Sequence, residues 1–232
     1  MKNKIKIGNF LFKYRGIIPV PFILIVLIFG SLPIALKFGH RFIISFFISL
    51  LGEFIRFLVA GYAKGETSGR GSNLAADFIV DYGLYSFIRN PLYIGNFLIF
   101  FGFMLYSGNL LFLIFGTIFF FLYYYFIVIA EENFLNNKFK DKFEEFRKNT
   151  GRFFPKNFKY KKPPYGYNFK QAIFREKDTI FIWIVSYLLL HERVCNFCKP
   201  DNHLIVFSII MLLIWIILNI YKKSRNRKKQ KK

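Results

Sequence analysis

The chain has 232 residues, of which 54% are hydrophobic and 22% aromatic, yet it carries a formal net charge of +21. That apolar content excludes an ordinary soluble domain, and it is compatible with so much charge only if the charge is segregated from the apolar runs. It is segregated, which defines a polytopic membrane protein.

In chain order, the basic segment from Met1 to Arg15 reads as a short interfacial stretch. No small-residue cleavage site follows the first apolar run, so a cleavable signal peptide is not expected. Spans are expected near Ile17–Leu36, Phe42–Tyr62, Leu92–Tyr106, Leu110–Ala130, Thr179–Leu190 and Leu204–Tyr221. The third and fifth are short enough to be tilted, broken or re-entrant. Pro19, Pro21 and Pro33 bend the first.

Lysine and arginine fix an orientation. Alternate connections and termini hold 29 of them on one side and four on the other, with Arg56 inside a span. The expectation is an all-α bundle of about six spans with both termini cytoplasmic. Its parts are an N-terminus (1–16), a core of four spans plus an amphipathic helix (17–155), a segment with two further spans (156–221) and a basic tail (222–232). The tail, KKSRNRKKQKK, pairs with anionic headgroups more simply than with nucleic acid.

The second span contains Glu53 and Arg56, three apart on one helical face. Ionisable groups at that depth point into a bundle or wet cavity, and Arg56 is read as facing a site. The following stretch of about 25 residues, AGYAKGETSGRGSNLAADFIVDYG, is long enough to act as a lid.

It leads into Gly83–Asn96, GLYSFIRNPLYIGN. Asn90 before Pro91 is a helix-start signature, with the Asn side chain expected to accept from first-turn N–H groups. The positive end of that helix, beside Arg89, Tyr85 and Tyr93, suits a carboxylate or phosphate. The same residues would also serve a capped turn with interfacial tyrosines.

The fourth span runs out through AEENFL, placing Glu131 and Glu132 where the helix leaves the membrane. Carboxylates at a helix C-terminus oppose the dipole, which favours a binding role. Phe134, Leu135, Phe139, Phe143 and Phe146 then recur at helical spacing, either continuing the span or lying on the surface. TGRFFP, residues 150–155, closes the segment.

These two blocks together resemble the isoprenylcysteine carboxyl methyltransferase and phospholipid methyltransferase superfamily of membrane enzymes. That family's first block reads G-x-Y-x-x-x-R-H-P-x-Y-x-G, and a glutamate pair and an R-x-x-P ending follow. The resemblance covers about Gly52 to Pro155. It implies S-adenosylmethionine at the cytoplasmic face and methyl transfer to a lipid-like or small hydrophobic acceptor. Carried over, Tyr85, Arg89, Asn90, Pro91, Tyr93, Gly95, Glu131 and Glu132 bind the cofactor, while Glu132, Arg152 and Arg56 serve catalysis. Asn90 replaces the family's histidine, so no acid–base role is expected there. Tyr85, Tyr93 or the Tyr123–Tyr125 cluster would stack adenine or face the sulfonium.

Two further readings stay open: a membrane reductase of related architecture using NADPH, and a non-enzymatic membrane protein retaining the fold. Residue usage heavy in Lys, Asn, Ile and Phe points to a bacterial inner membrane. Near the C-terminus, HERVCNFCKPDNH holds His191, Cys195, Cys198 and His203. No metal site is assigned there, because the spacing is unfamiliar; in an extracytoplasmic loop Cys195 and Cys198 either pair as a disulfide or have no special role.

Overall fold

The computed structural model describes residues 2–29, 38–63, 73–194, 206 and 209–221. Among them the chain is all-helical, and its one β-type pairing is an isolated bridge between Ile88 and Gly151. The helices are α1 (Lys2–Lys13), α2 (Pro19–Phe29), α3 (Phe38–Tyr62), α4 (Pro91–Ser107), α5 (Leu110–Phe139), α6 (Asp141–Asn149), α7 (Phe169–Val194) and α8 (Ile209–Tyr221).

Two of these, α3 and α5, are long and apolar enough to cross a membrane by length and composition, while α2, α4 and α8 are apolar but shorter. α7 is long, but its first turns carry Lys170, Arg175, Glu176, Lys177 and Asp178. Of the about six expected spans, two are full-length candidates among the described residues. Part of the first and last expected spans lies outside those residues, as do Cys195, Cys198 and His203.

The tightest crossing is between α3 and α4, where both backbones give up their side chains. A Cβ on Gly52 would lie 2.5 Å from the Gly95 carbonyl oxygen, and one on Gly95 would lie 2.8 Å from that of Gly52. Small residues let membrane helices approach this closely, replacing a hydrophobic drive with van der Waals contact. Nearby, a polar stitch ties three helices together. The Ser49 and Tyr187 hydroxyls share a hydrogen bond of 2.7 Å, and whichever accepts it donates to a backbone carbonyl, Ser49 to Ile99 O or Tyr187 to Ser45 O.

Packing below this crossing forms two clusters. Phe12, Phe100, Met104, Phe120, Ile127 and Val128 join α1, α4 and α5. Val26, Phe103, Tyr106, Tyr187 and Leu190 join α2, α4 and α7. The N-terminal segment is thus a helix packed on α5 rather than only a surface strip.

Local chemistry sets the ends. Asn109 caps α5, its side chain accepting from Leu111 N at 3.0 Å and Phe112 N at 3.3 Å. At the far end Lys140 takes a positive φ of 45°, and the chain turns there into the amphipathic α6. The aromatic run after Glu132 is therefore split, part continuing α5 and part forming a separate helix.

Candidate functional site

The end of the bundle that carries Arg89 holds a cavity of about 360 Å³. Its polar wall comes from Arg15, Arg56, Asn96, Tyr124, Glu131 and Glu132. Phe78, Ile79 and Val80 close it from the segment after α3, which is pinned where Lys138 Nζ donates to Ala76 O at 2.6 Å. The loop expected to act as a lid lies partly outside the described residues, at 64–72.

At the start of α4, Asn90 does not cap with its side chain. Its backbone carbonyl already takes the amides of Tyr93 and Ile94, and its Nδ2 donates to Arg152 O at 3.1 Å. The Tyr93 and Ile94 amides thus have a local partner, and the Asn90 side chain does not form the expected cap.

Arg89 and its neighbours are bound to the second block. The Arg89 amide donates to Gly151 O at 2.7 Å, and its side chain reaches Thr150 O. The Arg89 guanidinium holds Glu132 at 2.9 Å, and Arg152 holds the same carboxylate from the other side. One carboxylate thus bridges two arginines, an arrangement strong enough to fix where 147–152 lies against 88–90.

Glu131 is buried on the inner face of α5, against the Tyr93 hydroxyl. The Tyr93 ring lies 4.5 Å from Tyr124, whose hydroxyl accepts from Asn96 Nδ2 at 2.7 Å. Asn96 Oδ1 in turn takes Arg56. Arg56 also donates to Glu176 through Nε at 2.9 Å and to Thr179 Oγ1 at 2.9 Å. Polar contacts thus link Glu131 to Tyr93 and run from Tyr124 through Asn96 and Arg56 to Glu176, and the Tyr93–Tyr124 ring contact joins the two.

The cavity brings together Arg56, Tyr85, Arg89, Asn90, Tyr93, Glu131 and Glu132. Three other residues singled out from sequence sit elsewhere. Pro91 is enclosed within α4's first turn, Gly95 is at the α3 crossing, and Arg152 braces Glu132 from outside the lining. Glu53 and Arg56 do not share a destination either, since Arg56 enters the cavity and pairs with Glu176.

Sequence reading missed Arg15, Asn96, Glu176 and Thr179. Asn96 is an amide inside an apolar run, which is a polar-in-apolar signal, whereas Glu176 and Thr179 lie in the charged start of α7 and carry none. Nothing in spacing marks Arg15, which arrives from the turn after α1. Its guanidinium lies 4.0 Å over the Phe12 ring and donates to Phe12 O at 2.7 Å.

Comparison with known proteins agrees with the two blocks. Residues 31–142 match the phospholipid methyltransferase family model. That family belongs to the isoprenylcysteine carboxyl methyltransferase-like superfamily, so the resemblance read from the motifs holds for this segment. The family match over this segment suggests a membrane methyltransferase, and the two long apolar helices are consistent with one. No curated protein and no solved structure matches the chain. The matched segment spans α3 to α5, whereas Arg15, Arg152, Glu176 and Thr179 come from outside it.

The phospholipid methyltransferase family generally uses S-adenosylmethionine. The donor set suits that group. A cavity of about 360 Å³ is within the usual range for a ligand of this size. It offers guanidinium for a carboxylate, a buried carboxyl for hydroxyl or ammonium groups, amides from Asn90 and Asn96, and tyrosine rings for a cation or a base.

Proposed function

We propose that the protein is a multi-pass membrane enzyme that transfers a methyl group from S-adenosylmethionine to a lipid-like or small hydrophobic acceptor at the cytoplasmic face. One observation carries this reading. The polar cavity has an apolar continuation, and the two share Arg15, Asn96, Tyr124 and Thr179. The continuation runs between α2 and α7 past Ile23, Phe100, Phe103 and Ile182. A polar chamber joined to an apolar limb suits a polar cofactor beside an acceptor with an apolar chain.

When bound, S-adenosylmethionine supplies an electrophilic methyl on a sulfonium. This chain's residues then divide the work. Tyr93 and Tyr124 present ring faces that attract a cation. The helices around the limb exclude water, and the junction at Asn96 and Thr179 aligns the two partners, which matters most for an in-line displacement. Glu131 takes the proton of an amine acceptor; a carboxylate acceptor needs no base. Arg56 orients an anionic headgroup, while Arg152 acts only by holding Glu132 in place. The 29-to-4 asymmetry of basic residues supports placing the Arg89 end in the cytoplasm of a bacterial inner-membrane protein. The tail from Lys222 would then meet anionic headgroups.

Calorimetric titration of the purified protein with S-adenosylhomocysteine tests the cofactor, with Glu131→Gln and Arg89→Ala alongside. Micromolar binding weakened at least tenfold by Glu131→Gln is the expected result. Labelled cofactor in lipid extracts then identifies the acceptor. Absence of binding by folded protein, or tight binding of NADPH in its place, overturns the reading.

A further inference from the structure

Away from the cavity, one buried acid has no hydrogen-bond partner among the described residues. Glu53 in α3 is 5% exposed, and both of its carboxyl oxygens are buried and accept nothing. Arg56, one turn on, directs its donors to Glu176, Asn96 and Thr179 instead. Glu53 lines a separate groove of about 590 Å³ between α3 and α7, whose other walls include Leu50, Phe54, Phe57, Ile180 and Trp183. Phe47, Leu51 and Phe54 on its rim are more than half exposed, so the groove opens towards the lipid. The indole N–H of Trp183 is likewise buried without a partner.

An unpartnered carboxyl in apolar surroundings is costly, and such groups mark binding sites more often than packing. The groove lacks a donor for Glu53 and an acceptor for Trp183. A hydroxyl supplies both at once. A hydrocarbon chain supplies neither, and an ammonium has no acceptor to give.

Depth narrows the class further. Glu53 lies nine residues from Tyr62 and thirteen from His40, about 13 Å and 20 Å along the helix. Glycerophospholipid headgroups stay at the interface, whereas a lone hydroxyl desolvates cheaply enough to reach mid-membrane.

We propose that this groove binds a membrane-dissolved alcohol. Its hydroxyl donates to the Glu53 carboxyl and accepts from the Trp183 indole N–H, while its apolar body lies along Phe54, Phe57 and Ile180. The site adjoins the cavity's apolar limb, which Trp183 also lines, but it does not rest on the methyltransferase reading.

The test is photolabelling of the full chain in phosphatidylglycerol–phosphatidylcholine nanodiscs with hexadecanol bearing a diazirine. Its methyl ether and the corresponding primary amine serve as comparison probes. The expected result is saturable labelling within residues 47–57 and 180–183, at least tenfold stronger for the alcohol than for the ether. Glu53→Leu should abolish it and Trp183→Phe should weaken it about threefold. Circular dichroism and size-exclusion profiles check folding. Should Glu53→Leu fail to fold, Glu53→Gln, which keeps an acceptor oxygen, should retain labelling, and the alcohol-to-ether ratio on the wild type decides. Equal labelling by the ether means ordinary lipid chains and overturns the proposal. So does preference for the amine, retention in folded Glu53→Leu, or crosslinking of two copies through this face that excludes the probe.

Discussion

Arg89 grips Glu132 at 2.9 Å across 43 residues of chain, while its own backbone amide is held by Gly151. The two sequence blocks are thus fastened together by the residues that define them. Glu132 is the shared member, since Arg152 binds it as well. Removing its charge leaves two guanidinium groups side by side. Breaking a buried pair costs about 3–5 kcal/mol, and solvent reaching Arg152, which is 38% exposed, lowers that to roughly 2 kcal/mol. Glu132→Ala should lower the thermal unfolding midpoint in detergent as well as cofactor binding. Glu132→Gln should recover part of the stability, because one oxygen still accepts. A variant that loses binding with no change in unfolding would show that Glu132 contacts ligand rather than holding the clasp.

Gly95 falls within the sequence motif, but its place at the helix crossing gives it a packing task. A Cβ there would meet the Gly52 carbonyl at 2.8 Å and Arg56 Cγ at 2.7 Å. Forcing such contacts costs about 1–3 kcal/mol where backbone must move. Gly95→Ala should therefore destabilise the protein by that amount, and Gly95→Leu should abolish a monodisperse folded peak. Gly16→Ala, where an added Cβ meets nothing within 4 Å, should leave the unfolding midpoint unchanged.

Much of this arrangement is legible in the chain itself. Apolar runs placed α3, α4 and α5 within a few residues, because hydrophobic length is a property of each segment alone. The Gly83–Asn96 stretch and the Glu131–Glu132 pair marked one end of the cavity for the same reason. Contacts between distant segments were not legible. Asn90 carries every local sign of a side-chain cap, yet its Nδ2 donates to the distant Arg152 O and its side chain accepts from no first-turn amide. Glu53 and Arg56 share a helical face by spacing, and it took Glu176 on α7 to draw them apart. Lys140 gave no turn signal such as glycine, so the break between α5 and α6 was hidden.

Glu176 is fully buried and takes two of Arg56's donors, Nε and Nη2. Glu176→Gln removes the counter-charge while nearly preserving shape, so Arg56 keeps only neutral acceptors: the amide oxygen at 176, Asn96 and Thr179. If Arg56 orients the acceptor, methyl transfer should fall at least tenfold while S-adenosylhomocysteine affinity changes less than threefold. Arg56→Lys should not restore activity in that background, because an ammonium cannot bridge three partners with a planar fork. Comparable losses in affinity and turnover would instead place Arg56 at the cofactor.

Arg15 reaches the cavity from outside the matched segment and lines both the polar chamber and its apolar limb. Its position over Phe12 depends on α1 lying against α5, so an N-terminal helix sets a cation at the junction of two binding regions. A charge-assisted hydrogen bond contributes about 1.5–3 kcal/mol, enough for a tenfold change or more. Arg15→Gln should weaken S-adenosylhomocysteine binding about tenfold with little effect on unfolding. Lys4→Gln, near Tyr125 on the exposed side of α1, should change neither. Should affinity for the cofactor analogue stay within twofold while the KM for the acceptor rises, the guanidinium serves the limb instead. The acceptor would then carry an anionic group close to the atom that is methylated, and neutral analogues of the same chain length should lose their disadvantage in Arg15→Gln.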